Sequence, residues 1–344
     1  MRSKYLAFFA AAILVGTALV FSTIGEAKSD ELAVLLPESD GVVVLNSRQL
    51  FDQALPQILG ANETMLAKVD SEVDKIKAKT GLDLRQFDRV AIGMKTREIE
   101  GGNVDLQPVL LARGAYDAAT LAEAAKLASE GEMRTEMIGG RKVFVFSARS
   151  IVERNAPKAA KSSGFFDQMI AKVLGGLSDE VALAAYDSNT VALGSLERVR
   201  EMLGNTRRID GKLLSMLGRK GDTMARFAVV VPDGLSQFLE LEKDDLGKSL
   251  NSVREVNGSF DVVPGKASLW VAARTADPEQ AESLQTVLKG FQGFLPSILL
   301  RQKGEDKKVY GRMLENLSID RNDSELTVSL DVPQSDLDVI VGKK

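Results

Sequence analysis

The stretch Asp88–Leu127, DRVAIGMKTREIEGGNVDLQPVLLARGAYDAATLAEAAKL, decides the fold. Two apolar, alternating runs flank a Gly-Gly-Asn turn signal, which is the pattern of a β-hairpin. An alanine-rich run then repeats its apolar positions at three and four residues, the pattern of a helix. Arg254–Leu288, REVNGSFDVVPGKASLWVAARTADPEQAESLQTVL, writes the same parts in the same order. VLLARGAYDAATLAEA lies over LWVAARTADPEQAESL, with Arg113 and Arg274 both closing an apolar run just before a turn and a helix start. The chain therefore reads as two copies of one unit.

Outward from this pair, a second correspondence appears. VALAAYDSNTVALGSLERVREML, from Val181, matches LSIDRNDSELTVSLDVPQSDLDVIV, from Leu317: strand, Asp/Asn/Ser turn, strand, short helix. Upstream of each central hairpin stands a β-branched strand, Val42–Leu45 in one half and Ala225–Val231 in the other, each followed by a helical segment. In the first of these segments Pro56 should bend or interrupt the helix. Leu66, Val69, Val73 and Ile76 then mark a long helix that Gly81 ends as a C-terminal cap. In the second half a helix opening at Pro278 is expected to break where Gly290, Gly293 and Pro296 weaken it. Alternating hairpins and helices make the fold class α+β, two tandem related modules, each a mostly antiparallel sheet with helices on one face. The expected division is a first module over residues 28–204, a linker over 205–222 and a second module over 223–344.

Arg2 and Lys4 precede an unbroken apolar stretch, Tyr5–Phe21, followed by small residues at Gly25 and Ala27. This is the order of a secretory signal, so residues 1–27 read as a signal peptide or an uncleaved N-terminal anchor. Positive charge ahead of the apolar run places the body outside the cytoplasm in either case, periplasmic or otherwise extracytoplasmic.

Composition excludes more than it suggests. The 344 residues contain no Cys and no His. Thiolate nucleophiles, Cys-ligated zinc, Ser-His triads and HExxH sites are all removed together. A net charge of −4 offers no basic footprint for a nucleic acid. No GxGxxG, no GxxxxGK[ST] and no Ser-x-x-Lys spacing occurs.

The segments LPESDGVVVLNSRQL, TGLDLRQFDRVAIG, PVLLARGAYD and GGRKVFVFSA resemble those of a group of uncharacterised exported bacterial proteins, in which a signal peptide precedes a two-part α+β body. The resemblance implies export and architecture. It implies no reaction and no catalytic residues.

Candidate sites are few. Asp320-Arg321-Asn322-Asp323-Ser324-Glu325 is dense in oxygen ligands, yet an EF-hand needs Gly and Glu where Glu325 and Asp331 stand. Its place in a hairpin accounts for it as turn chemistry, and neither a metal nor a cofactor is expected. Asp70, Glu72 and Asp74 interleave with Lys68, Lys75 and Lys77, the pattern of a solvated, ion-paired helix face. Arg113 and Arg274 could hold an anion jointly, or satisfy carboxylates at their strand ends. Two apolar helical patches, Phe165–Leu177 with Phe165 and Phe166 and Phe291–Leu300 with Phe291 and Phe294, could meet a partner, a lipid or the membrane surface, or close the two cores. The expectation is an exported, non-enzymatic envelope protein, a scaffold or binding module, whose partner is an envelope protein or an apolar ligand. The alternatives are a carrier for a lipid-like ligand and a carboxylate-based enzyme at a cleft between the modules.

Overall fold

The structure is a computed structural model and describes residues 30–99, 103–116, 118–129, 132–147, 180–204, 207–218, 223–231, 251–301 and 304–342. The apolar N-terminal stretch and the patch at Phe165–Leu177 lie outside the described residues. The chain divides into two compact units, a first containing 29–48 and 68–214 and a second containing 49–67 and 215–344.

In the first unit the strands are β1 (Gly41–Asn46), β2 (Phe87–Ile99), β3 (Asn103–Gly114), β4 (Met133–Ile138), β5 (Arg141–Ser147), β6 (Glu180–Ala185) and β7 (Thr190–Ser195). They lie in the order β1-β2-β3-β7-β6-β5-β4 with antiparallel pairing throughout. In the second unit β8 (Ala225–Val230), β9 (Val253–Val263), β10 (Lys266–Thr275), β11 (Ser318–Asn322) and β12 (Glu325–Pro333) lie in the order β8-β9-β10-β12-β11, again antiparallel. The two orders are the same path walked twice: entry strand, hairpin, then a hairpin whose second strand returns beside the first. The doubling expected from Asp88–Leu127 and Arg254–Leu288 is therefore present in the pairing. What differs is inserted: the first unit adds the β4–β5 hairpin at a point where the second adds a helix.

Several helices belong to these units. They are α1 (Leu55–Leu59), α2 (Glu63–Thr80), α3 (Ala118–Ala128), α4 (Leu196–Leu203), α5 (Gly211–Gly218), α6 (Pro278–Leu300), α7 (Glu305–Glu315) and α8 (Gln334–Ile340). Their ends follow local chemistry. Ser195 caps α4 by accepting from the Arg198 amide, and Asp277 caps α6 by accepting from the Gln280 amide with Pro278 at the first turn. Gly81 follows α2 at φ 73°, as a C-terminal cap requires. Ahead of α1 the chain winds a π-turn over Leu50–Ala54, and this wider turn is how the helical segment accommodates Pro56.

The first unit buries residues on both sides of its sheet. On one side α3 places Leu121 and Ala125 against Phe144, Phe146, Val181, Leu183 and Val191. On the other, a row crossing six strands, Val44, Ala91, Leu111, Ala192, Ala184 and Val143, is buried throughout. In the second unit Leu284 of α6 packs on Val231, Val253, Ile319 and Leu326. The opposite side of that sheet carries a buried polar group, Asn257, Ser259, Asp261 and Ser268.

Three expectations are corrected. Gln49–Ala67 groups with the second unit, because its polar side chains find their partners there. Gln49 Nε2 donates to Asp261 Oδ1 at 2.9 Å, Gln57 Nε2 to the Val263 carbonyl at 2.8 Å, and Gln334 Nε2 to the Gln57 carbonyl at 2.9 Å. The stretch 205–222 is not simply a linker: Gly211–Gly218 is a helix with Leu213, Met216 and Leu217 buried. Finally, α6 does not break. It continues through Gly290, Gly293 and Pro296, with Pro296 buried and its carbonyl 3.6 Å from where a Cβ would stand on Gly311 of α7. Packing against α7 overrides the local weakness.

Candidate functional site

Arg113 and Arg274 occupy equivalent places, each at the end of the third strand of its unit. In register, Arg113 faces Arg89 and Thr190, while Arg274 faces Glu255 and Glu325. Arg113 Nη1 lies 3.3 Å from Glu31 Oε2 and its Nε 3.4 Å from Thr190 Oγ1. Arg274 lies 3.2 Å from a Glu325 carboxylate oxygen and 3.8 Å from one of Glu255. Each guanidinium thus has a carboxylate of its own unit within reach, as a strand-end arginine has. The local fields differ, because Arg274 sits between two acids and Arg113 beside a second arginine that Asp30 neutralises at 2.8 Å.

Of the four phenylalanines singled out in the sequence, Phe165 and Phe166 lie outside the described residues. Phe291 and Phe294 stand side by side on α6, ring centroids 5.7 Å apart and tilted by 46°. They point to different surroundings. Phe291 packs against the core cluster of Val253, Leu284 and Leu326, whereas Phe294 is 47% exposed. One turn on, Ile298 is 46% exposed and Leu300 39%. Phe294 and Ile298 therefore share one exposed face of the helix, whereas Leu300 leans on α7, its Cγ 2.9 Å from where a Cβ would stand on Gly311.

The rest of that helix surface is open. Gly290 and Gly293 are exposed, and a Cβ built on either would meet nothing within 4 Å. Lys289 and Arg301 flank the strip and are exposed. Beneath it, Gln292 Nε2 donates to the carbonyls of Leu314 at 3.1 Å and Leu317 at 2.5 Å, which ties the helix down at its midpoint. The nearby acids on α7 are occupied: Asp306 pairs with Lys307 at 3.1 Å and Glu305 with Lys308 at 2.5 Å. The Lys307 ammonium holds the Asp306 carboxyl below its ordinary range. The exposed face of α6 is thus apolar with cationic ends.

Sequence reasoning singled out Phe294 but not Ile298 within its patch, although their spacing of four residues was the available signal. It also passed over Arg198, which is fully buried on α4 and reaches the Glu38 carbonyl at 2.8 Å, Ser39 Oγ at 3.0 Å and the Glu201 carboxylate. Burial pulls the Arg198 value below its ordinary range, against the opposing Glu201 charge. No local signal marks such a residue, since an arginine in the first turn of an exposed-looking helix reads as solvated. Among the described residues no group of three or more metal-ligating side chains converges, and no helix is long and apolar enough to cross a membrane.

No family model matches the chain, and no curated protein matches it. Among solved structures it is similar to crystal form III of TP0453, with a TM-score of 0.45 at 10% identity over 92% of this chain and 99% of that one. Crystal form IV of the same protein gives a TM-score of 0.44 at 10% identity over 92% and 97%. No residue role passes across at that level.

Proposed function

We propose that this chain is an exported, non-enzymatic binding module of the bacterial envelope, and that it engages an apolar surface of an envelope protein through the exposed end of α6. The observation that carries the reading is the solvent-facing pair Phe294 and Ile298, one turn apart on a helix whose other side is fixed to the second unit's sheet. A rigid helix presenting apolar side chains at four-residue spacing is a common form of partner recognition. The charged and apolar order of residues 1–27 supports export. The absence of Cys and His from the whole chain supports a role in binding over one in catalysis. Exposure of Phe294 favours contact on a surface over enclosure of a lipid-like ligand.

A photo-reactive phenylalanine analogue at Ile298, introduced in the producing cell, tests this. The expected result is one dominant crosslinked envelope protein, lost when Phe294→Glu is added and absent when the analogue stands at Glu282. Equal labelling from both positions, or turnover of an envelope substrate by the purified chain, would overturn the proposal.

A further inference from the structure

Among the described residues, strand β4, Met133–Ile138, ends the strand order of the first unit and is paired with β5 alone. Six consecutive residue pairs run without a register shift, from Met133 with Phe146 to Ile138 with Arg141. The connection is the two-residue turn Gly139-Gly140, both at positive φ, 57° and 75°. In such a turn the closing residues, here Ile138 and Arg141, exchange hydrogen bonds. Alternation then directs the backbone groups of Arg134 and Glu136 toward β5 and those of Met133, Thr135 and Met137 outward.

The outward edge is self-complementary about Thr135: Met133-Arg134-Thr135-Glu136-Met137, like polarity and opposite charge at mirror positions. Edges are commonly blunted by Pro, a bulge or charged side chains. Met133–Ile138 has no Pro and no bulge, and its two charges, Arg134 and Glu136, are of opposite sign, so they repel neither each other nor a second copy. If a second antiparallel copy of the strand is laid against it about Thr135, every Arg134 meets a Glu136 and every Met133 meets a Met137. The outward backbone groups of Met133, Thr135 and Met137 fall opposite their counterparts, in the positions that exchange hydrogen bonds.

We propose that two copies of this chain join through β4, antiparallel, about a two-fold axis at Thr135. Both faces of the joint are prepared. On one, Arg134 Nη2 lies 2.9 Å from Glu180 Oε2, and Arg200 Nη2 lies 2.6 Å from Glu136 Oε2. The second copy continues that run of alternating charge. Hydrogen bonding to Arg200 and Arg134 keeps the Glu136 carboxyl below its ordinary range. On the other face Met133 packs on the core cluster that holds Phe144 and Phe146, while Met137 is 69% exposed. In the pair, Met137 of the second copy comes to rest beside Met133. A single six-residue edge falls short of the roughly 1,000 Å² that stable interfaces bury, so the association is weak and concentration-dependent.

Because the chain contains no cysteine, the axis can be located directly. Exchanging residues in an antiparallel pair have Cα atoms about 5.5 Å apart, within disulfide reach. The full chain in mild detergent, carrying Thr135→Cys, is expected to oxidise to a covalent dimer at least tenfold faster than Arg134→Cys, or than Asp320→Cys on the edge strand β11. Equal rates for all three, or no dimer from Thr135→Cys, would refute the proposal. Thr135→Pro supplies the second measurement, since the amide it removes points away from β5 and the fold is retained by circular dichroism. Sedimentation equilibrium should show a concentration-dependent dimer for the unaltered chain and a monomer for Thr135→Pro. A dimer that survives the proline, or an unaltered chain that never dimerises, sinks it.

Discussion

Side chains and single dihedrals set some of the sharpest constraints. Gly139 and Gly140 both lie at positive φ, but only at Gly139 would a Cβ strike backbone, 2.4 Å from the Leu203 carbonyl oxygen. Gly140→Ala should therefore cost about 1 kcal/mol from conformation alone, and Gly139→Ala a further ~1–2 kcal/mol from displacing the end of α4, read as the difference in urea midpoint. Tyr116 makes a second case. Its hydroxyl donates toward the carbonyls of Asp187 at 2.6 Å and Thr190 at 2.9 Å, closing the β6–β7 turn. Burial, reinforced by the Asp187 charge, pushes its phenol up to about 12 from the ordinary 10. A value raised on folding contributes stability that is complete below the unfolded value near 10 and is lost as pH climbs toward 12. Absorbance titration should show one of the chain's four tyrosines ionising near 12, with Tyr116→Phe abolishing that step and lowering stability by ~1 kcal/mol.

Elements show which parts of the sequence were legible. Hairpins were, because their turns require residues that announce themselves: Asp187-Ser188-Asn189 stands at the turn where the spacing put it, and Gly139-Gly140 and Pro264-Gly265 close two more. The doubling was legible for the same reason, since it rests on the order of such turns. A break in α6 was wrongly expected, because propensity speaks for an isolated helix and α6 is not isolated: its buried Pro296 is held against α7 at Gly311. The candidate site was half legible. The apolar run Phe291–Leu300 marked the patch and Phe294 in it, but not Ile298, and the partners of Arg113 and Arg274 follow from strand register, which no local pattern states. Gly290 and Gly293 now have a measurable consequence. Both are helical, exposed and free of neighbours a Cβ would touch, so each change to Ala should raise stability by ~0.5–1 kcal/mol. If chemical denaturation shows a loss instead, those glycines serve a contact the folded chain alone does not contain.

At the scale of the molecule, the second unit is assembled from two distant pieces of chain. Asn62 Nδ2 donates to the Val341 carbonyl at 2.6 Å, and Gln49 and Gln57 bond to residues of β9. A fragment beginning at residue 215 lacks all three donors and leaves the buried Asp261 without its Gln49 partner. It should show little amide protection in β9 and β10 by hydrogen exchange, and gain protection when residues 30–67 are supplied in trans. This arrangement was invisible in the sequence because bonds spanning 212 and 279 positions leave no local trace. It also imposes a schedule. At roughly 5–20 residues per second, Gln49 leaves the ribosome on the order of ten to forty seconds before Asp261 exists to receive it. Through that interval the early segment must be kept from other pairings, and the second unit cannot mature until synthesis has all but finished.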